Sequence, residues 1–173
     1  MTDLVIRRAT VDDAAHLADF GARTFHDAFA ADNRPEDMAA YLASAFGRPQ
    51  QTAELTSPDW VTLLVEIDGA TAAFAQVRRQ SPPAAVTGPA PIEIHRFYVQ
   101  RGWHGRGVAG ALMQACLDVV RELGGRTAWL SVWERNPRAL AFYAKHGFTR
   151  SGMAEFWVGP DCQTDHIMER GVD

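Results

Sequence analysis

A chain of 173 residues, 47% hydrophobic and 22% charged, suits one compact domain over residues 1–173 with a sizeable core. Its formal net charge of -4, with no lysine/arginine run longer than a pair, argues against non-specific nucleic-acid binding. No stretch has the length of a membrane span or the apolar core of a secretory leader. With only Cys116 and Cys162, not spaced as metal ligands, the expectation is a cytoplasmic protein with reduced thiols and no membrane partner.

Residues 4–8 read as a first strand. Thr10 with Asp12 and Asp13 signals a helix start, and Ala14, Leu17, Phe20, Phe25 and Phe29 carry a helical apolar pattern to about Ala30. Asn33-Arg34-Pro35-Glu36 opens a second helix with Met38, Tyr41, Leu42 and Phe46 on its apolar side, closed by Gly47 and Pro49. Trp60–Ile67 and Ala72–Arg78 read as strands joined by an Asp68-Gly69 hairpin turn. The proline-rich residues 81–91 read as a surface loop, and Ile92–Val99 as a fourth strand. Val108, Leu112, Ala115, Val119 and Leu123 mark a third helix that Gly124-Gly125 ends. Thr127–Trp133 is a strand apolar on both faces, and Asn136-Pro137 opens a helix through Lys145. Phe148 and Met153–Val158 give a sixth strand, and Thr164–Met168 a seventh. Antiparallel strands followed by strand–helix–strand–helix–strand define a mixed sheet, α+β (mixed α/β) in class, with at least one parallel crossover.

The most informative segment is His104-Gly105-Arg106-Gly107-Val108-Ala109-Gly110, between the fourth strand and the third helix. A glycine-rich turn entering a helix N-terminus aims several N–H groups and the positive end of the helix dipole at one point, which suits a phosphate or pyrophosphate. Read literally, Gly105, Gly107 and Gly110 spell G-x-G-x-x-G, so a dinucleotide is one candidate ligand. Against it, the turn falls past mid-chain, and Gln100 to His104 separate the strand from the first glycine. Too little sheet follows for a two-lobed site. No Walker lysine is present, since Ala111 follows Gly110.

The run HGRGVA resembles the Q/R-x-x-G-x-G/A signature of the GCN5-related N-acetyltransferase (GNAT) superfamily. IEIHRFYV before it is similar to that family's central strand, NPRALAFYAKHGF after it to the helix that carries an asparagine and a tyrosine, and VIRRATVDDAAHLADF to its first strand and helix. The segments TFHDAFAADNRPEDMAAYLASAF, WLSVWERNPRALAFYAKHGF and QTDHIM further resemble the bacterial PaiA-type spermidine/spermine N-acetyltransferases. One departure is His104, where the signature has glutamine or arginine. The resemblance implies a central mixed sheet of six or seven strands flanked by about four helices, with acetyl-CoA as co-substrate and transfer to a primary amine, polyamines being the favoured class. It implies that Phe97, Tyr98 and Val99 meet the pantetheine and thioester. It also implies that His104, Gly105, Arg106, Gly107, Val108 and Ala109 hold the pyrophosphate, while Asn136 and Tyr143 lie along the cofactor.

Acetyl transfer from a thioester needs a neutral amine, a polarised carbonyl, alignment, and a proton for the leaving sulfur. Tyr143 is either the general acid or an aromatic that packs its helix. Asn136 caps that helix, binds cofactor, or both. Glu93 falls where histone-type members keep a catalytic glutamate, but an ion pair with Arg78 across the sheet is an equal alternative. His95 is the rival base, and water can relay the proton. Strand alternation puts Glu93, His95 and Phe97 on one face and Ile94, Arg96 and Tyr98 on the other. Phe25, Phe29 and Tyr41 are the candidate acceptor-binding residues, with Asp27, Asp32, Glu36 and Asp37 either drawing a polyammonium chain or acting as solvated helix-start charges. The tryptophans read as core or interface anchors, Trp103 being the exception beside the glycine turn. The six histidines show no metal-ligand spacing, so no metal is expected. A homodimer is the base-rate expectation. Two further readings compete: an acyl-CoA-binding regulatory module without catalysis, and dinucleotide binding.

Overall fold

The computed structural model describes residues 3–173 and contains seven strands and five α-helices. Strand β1 (Leu4–Arg8) leads through a 3-10 turn into α1 (Ala14–Phe29). Thr10 N–H donates to the Asp13 carboxylate at 2.8 Å, the capping contact its sequence promises. Helix α2 (Pro35–Ala45) starts with proline at its first position. Gly47 and Pro49 do end α2, but they also begin an additional helix, α3 (Arg48–Thr56), which the sequence reading lacks. Strands β2 (Trp60–Ile67) and β3 (Ala70–Arg78) form the expected hairpin, with Asp68 and Gly69 at φ 51° and 80°. Then come β4 (Pro91–Val99), α4 (Val108–Glu122), β5 (Thr127–Trp133), α5 (Pro137–Lys145), β6 (Thr149–Val158) and β7 (Asp161–Gly171). The last two strands are longer than expected because they pair with each other along nearly their whole length.

The seven strands form one sheet in the order β1-β2-β3-β4-β5-β7-β6, so strands from both ends of the chain share it. Its parallel pairing, β4 with β5, lasts for three residue pairs, Pro91 with Thr127 to Glu93 with Trp129. Beyond Glu93 the strands diverge and leave a split in the sheet.

Helices α4 and α5 cover one face. There Val108, Leu112, Cys116 and Val120 pack with Val65, Ala75, Ile94, Leu130 and Tyr143. Helices α1 and α2 cover the other face, where Leu17, Phe20, Phe25, Met38 and Phe46 pack on Leu64 and Phe74. The proline-rich loop adds a third cluster by setting Val86 against Trp129 and Ile167.

Helix α3 explains a buried charge in β4. Glu54 and Arg96 are 3% and 7% exposed, and the Arg96 guanidinium reaches both Glu54 carboxylate oxygens at 3.0 and 2.8 Å. The Gln76 amide donates to Glu54 at 2.9 Å and to Thr62 at 3.2 Å. The buried cation is therefore both paired and hydrogen-bonded, the condition for tolerating it. Glu54→Ala leaves the guanidinium buried without its counter-charge, so it should lower unfolding free energy by about 3–5 kcal/mol, read as a lower urea midpoint at unchanged slope.

Candidate active site

A cleft of about 1010 Å³ follows the split between β4 and β5 and passes from one face of the sheet to the other. Strand β4 bonds to β3 as far as Val99, but from Ile94 onward it has no strand on its β5 side. Unpaired N–H and C=O groups beside a cavity are binding groups for a ligand, because leaving them buried and unsatisfied is costly.

Tyr143, Phe97, Asn136 and the start of α4 line one end of this cleft. Gly105 and Gly107 stand at φ 75° and 82°, the left-handed region that an L side chain reaches only at a cost, so the turn requires glycine at both positions. The first hydrogen bond of α4 runs from Ala111 N–H to the Gly107 carbonyl at 3.1 Å. The N–H groups of Val108, Ala109 and Gly110 precede it and are free to take an anion. A 3-10 turn, Arg101–Trp103, separates β4 from Gly105, so this glycine does not make the tight strand-to-helix turn of a dinucleotide fold. His104 is committed locally, its Nε2 lying 2.7 Å from the Val99 carbonyl, which ties the turn back to β4. The Arg106 guanidinium lies over the Trp103 ring, 5.3 Å from its centroid.

Tyr143 is buried against Phe97, Phe142 and Phe148. Burial, with a smaller contribution from Cys116, pushes its phenol above the ordinary tyrosine range, so it stays protonated. Asn136 caps α5 by accepting the Ala139 N–H at 3.1 Å.

The expected face assignment in β4 is corrected here. The register passes from Gln76 opposite Arg96 to Val77 opposite Ile94, so His95 is an extra, bulged residue. The bulge sends Ile94 and Phe97 to the α4–α5 face, and Glu93, Arg96 and Tyr98 to the α1–α3 face. Glu93, 5% exposed, is ion-paired with Arg78, and His95 Nδ1 lies 3.3 Å from its other oxygen. Burial alone would raise the Glu93 carboxyl, but the hydrogen bond from His95 and the paired Arg78 guanidinium hold it below the usual range. Burial lowers the His95 imidazole, aided by Arg96 and Arg78 and opposed by Glu93, and this leaves the ring neutral near pH 7.

On the α1–α2 side, Phe25, Phe29 and Tyr41 do come together. Phe25 lies 4.6 Å from Phe29 and 4.7 Å from Tyr41, Phe29 meets Tyr98 at 6.4 Å, and Tyr41 meets Phe156 at 5.6 Å, centroid to centroid. Trp133, expected as a core anchor, lines the cleft with its ring 6.0 Å from Phe29. Of the four helical acids only Asp27 touches the rim of the cleft; Asp32 is exposed, Glu36, also exposed, pairs with Arg34, and Asp37 is half-buried outside the cleft lining, its Oδ2 without a hydrogen-bond partner among the described residues. A buried acid of the cleft that the sequence reading did not single out is Asp165 on β7. Strand alternation sets it between Gln163 and Ile167 on one face, a pattern that gave no clear signal in the sequence. Among the described residues no group of three His, Cys, Asp or Glu is arranged to hold a metal, and no helix is long and apolar enough to cross a membrane.

A sheet split beside a helix N-terminus ready for an anion, with a protonated phenol in the gap, is the layout of an acyl transferase that holds a phosphorylated acyl carrier. Residues 23–148 match the Acetyltransferase (GNAT) family. The chain belongs to that family and is an acetyl-CoA-dependent N-acetyltransferase. It is 29% identical over 172 residues to an uncharacterised N-acetyltransferase of Lactobacillus delbrueckii subsp. lactis, covering 99% of each chain. It is 32% identical over 158 residues to an uncharacterised N-acetyltransferase of Mycobacterium tuberculosis, covering 91% of this chain and 97% of that one. Its fold is similar to that of the PaiA N-acetyltransferase from Thermoplasma acidophilum in complex with coenzyme A, with TM-score 0.76, 16% identity, and 98% and 99% of the two chains covered.

The two glycine classes in the turn separate by experiment. Gly107→Ala forces a methyl group onto a left-handed residue and should cost about 1–2 kcal/mol in urea unfolding while weakening acetyl-CoA binding by calorimetry. Gly110 is helical, and an added Cβ would meet only His146 Cε1 at 4.0 Å, so Gly110→Ala should leave stability equal or higher.

Proposed function

We propose that this enzyme acetylates a primary amine of a small molecule, with polyamines of the spermidine/spermine type as the favoured acceptors. The observation that carries the reading is the through-going cleft. It joins an anion-ready helix start and Tyr143 at one end to an aromatic, acid-containing recess at the other. The structural likeness to a PaiA N-acetyltransferase supports the fold and is compatible with this acceptor class.

In this reading the N–H groups of Val108, Ala109 and Gly110, with the turn from Gly105, receive the pyrophosphate of acetyl-CoA, and Arg106 lies at its edge. The unpaired edge of β4 at Phe97, Tyr98 and Val99 takes the pantetheine, although the Val99 carbonyl is already occupied by His104. Acetyl-CoA supplies the activated acyl group, and the residues of the chain align the amine and manage two protons. His95 is the better base of the two candidates. Glu93 has both oxygens engaged and a depressed pKa, whereas His95 is neutral and uses Nδ1 toward Glu93, leaving Nε2 to accept a proton directly or through water. Glu93 then fixes the tautomer. Tyr143 donates to the departing sulfur. The free thiols of Cys116 and Cys162 suit a reducing, cytoplasmic setting, and a homodimer is compatible with the fold; light scattering decides the latter.

An amine panel assayed for release of free CoA thiol tests the reading. Turnover should be greatest with spermidine, spermine or short diamines, and absence of turnover with every amine overturns it. Tyr143→Phe should lower kcat by about 10²-fold or more while acetyl-CoA still binds. With saturating amine, kcat should fall as pH drops through a value below the ordinary imidazole pKa of about 6.5, because the base works only when unprotonated and its pKa is lowered. His95→Gln should lose that acid limb.

A further inference from the structure

Asp165 is 7% exposed, and its Oδ1 is buried with no hydrogen-bond partner among the described residues. A carboxylate in that position is costly unless something else meets its charge. Its place in the sheet says where that partner would come from. Asp165 pairs with Trp133 of β5 and Ala154 of β6, so it shares their face. The Trp133 ring packs on Phe29 of α1, and Phe156, two residues along β6 from Ala154, packs on Tyr41 of α2. Asp165 thus faces the α1–α2 recess of the cleft, on the opposite side of the sheet from Tyr143. Gln163, on the same face, closes the recess by donating to Asn33 Oδ1 at 2.8 Å.

The recess therefore has aromatic walls and one buried, unpaired acid. Aromatic faces and a carboxylate both attract cations, and the combination suits an alkylammonium whose methylenes lie on the rings. We propose that Asp165 is the counter-ion for the distal, non-reacting ammonium of a diamine or polyamine acceptor, and that this buried acid, rather than the acids of the first two helices, makes the enzyme prefer polycationic acceptors. The proposal rests on the acetyltransferase reading of the cleft and extends it to one residue. The reacting nitrogen must be neutral in the split, while the second nitrogen keeps its charge and meets Asp165 across the sheet. The cost shows in the unliganded site: burial, with Glu134 contributing, raises the Asp165 carboxyl to about 6. The titratable or charged groups around it are Tyr41 from α2, Tyr98 and Arg96 from β4, Glu134 after β5, exposed Glu155 from β6 and Asp27 at the rim from α1.

The test compares wild type with Asp165→Asn, using 1,4-diaminobutane and 4-amino-1-butanol, which replaces the distal ammonium with a hydroxyl at nearly equal length. Wild type should prefer the diamine in kcat/KM, and the substitution should remove about 10- to 100-fold of diamine efficiency while changing the amino alcohol little. Calorimetry of 1,4-diaminobutane with the CoA-bound enzyme should show the same loss without requiring turnover. At pH 7.5 without amine, Asp165→Asn should melt no lower than wild type, and acetyl-CoA affinity should stay within about threefold. No diamine preference in wild type, a preference retained in the variant, or a clearly lower melting temperature each overturns the proposal. If neither amine is acetylated but calorimetry shows Asp165-dependent diamine binding, the anchor stands and the acetyl-transfer reading falls. Acetylation with equal use of both amines sinks the anchor alone.

Discussion

The separation of β4 from β5 after Glu93 is the constraint on which the rest of the structure depends. A continuous sheet would satisfy both strands and leave no room for chemistry between them. Here the pairing stops after three residue pairs, and the facing edges of two central strands lose their partners. Each buried backbone group left without a partner costs about 1–3 kcal/mol, so the rest of the fold has to hold the gap open. On one face α4 and α5 brace the two strands through the large apolar cluster. On the other, α3 fixes β4 through the buried Glu54–Arg96–Gln76 contacts. The His95 bulge lies between these supports and turns the end of β4, so that Phe97 faces Tyr143 while Tyr98 faces Phe25 and Phe29.

Most of this architecture was legible because apolar periodicity and turn chemistry agree over long stretches. Trp60–Ile67 and Thr127–Trp133 appear with the bounds their patterns gave, and the Asp68-Gly69 turn has the positive φ values that its residue types suggest. Helix α3 was not legible. Its buried residues are Gln51 and Glu54, so it has no apolar stripe, and Gly47-x-Pro49 serves equally well to stop one helix and start another. The His95 bulge was invisible because alternation assumes a register, and register is a property of two strands together. That single extra residue is why the expected grouping of Glu93, His95 and Phe97 on one face fails.

The candidate site divides along the same line. The glycine turn, Asn136 and Tyr143 belong to local motifs whose geometry follows from their own residues, and they line the cleft. The acceptor side is assembled from α1, α2, β5, β6 and β7, distant in sequence, so only its aromatic members were apparent. Asp165 illustrates the difference. In isolation it is one acid in a polar stretch, and it becomes unusual only when Trp133, Phe156 and Tyr41 exclude water around it. Three of the helical acids conspicuous in the sequence, Asp27, Asp32 and Glu36, face solvent, where charge is screened and contributes little to selection, and the half-buried Asp37 lies outside the cleft lining.

Burial also bears on the proposed proton chemistry, because it acts on groups of opposite charge type. Removing water disfavours whichever form is charged. For Tyr143 that form is phenolate, so the hydroxyl keeps its proton and stands as a donor; for His95 it is imidazolium, so the ring stays neutral and stands as an acceptor. In the proposed mechanism one desolvated cleft therefore suits both an acid and a base at the same pH without either having to titrate first. For Asp165 the disfavoured form is carboxylate, and its folded-state value of about 6 exceeds the usual 3.8. A carboxyl raised in this way favours the folded state while it is protonated, and that contribution is lost as pH climbs from 3.8 to about 6, on the order of 1–3 kcal/mol in all. At neutral pH the enzyme therefore carries a destabilised anion, and in the proposed role an arriving cation restores what folding gave up. Acceptor binding would then be coupled to stability in a way that a surface carboxylate could not achieve.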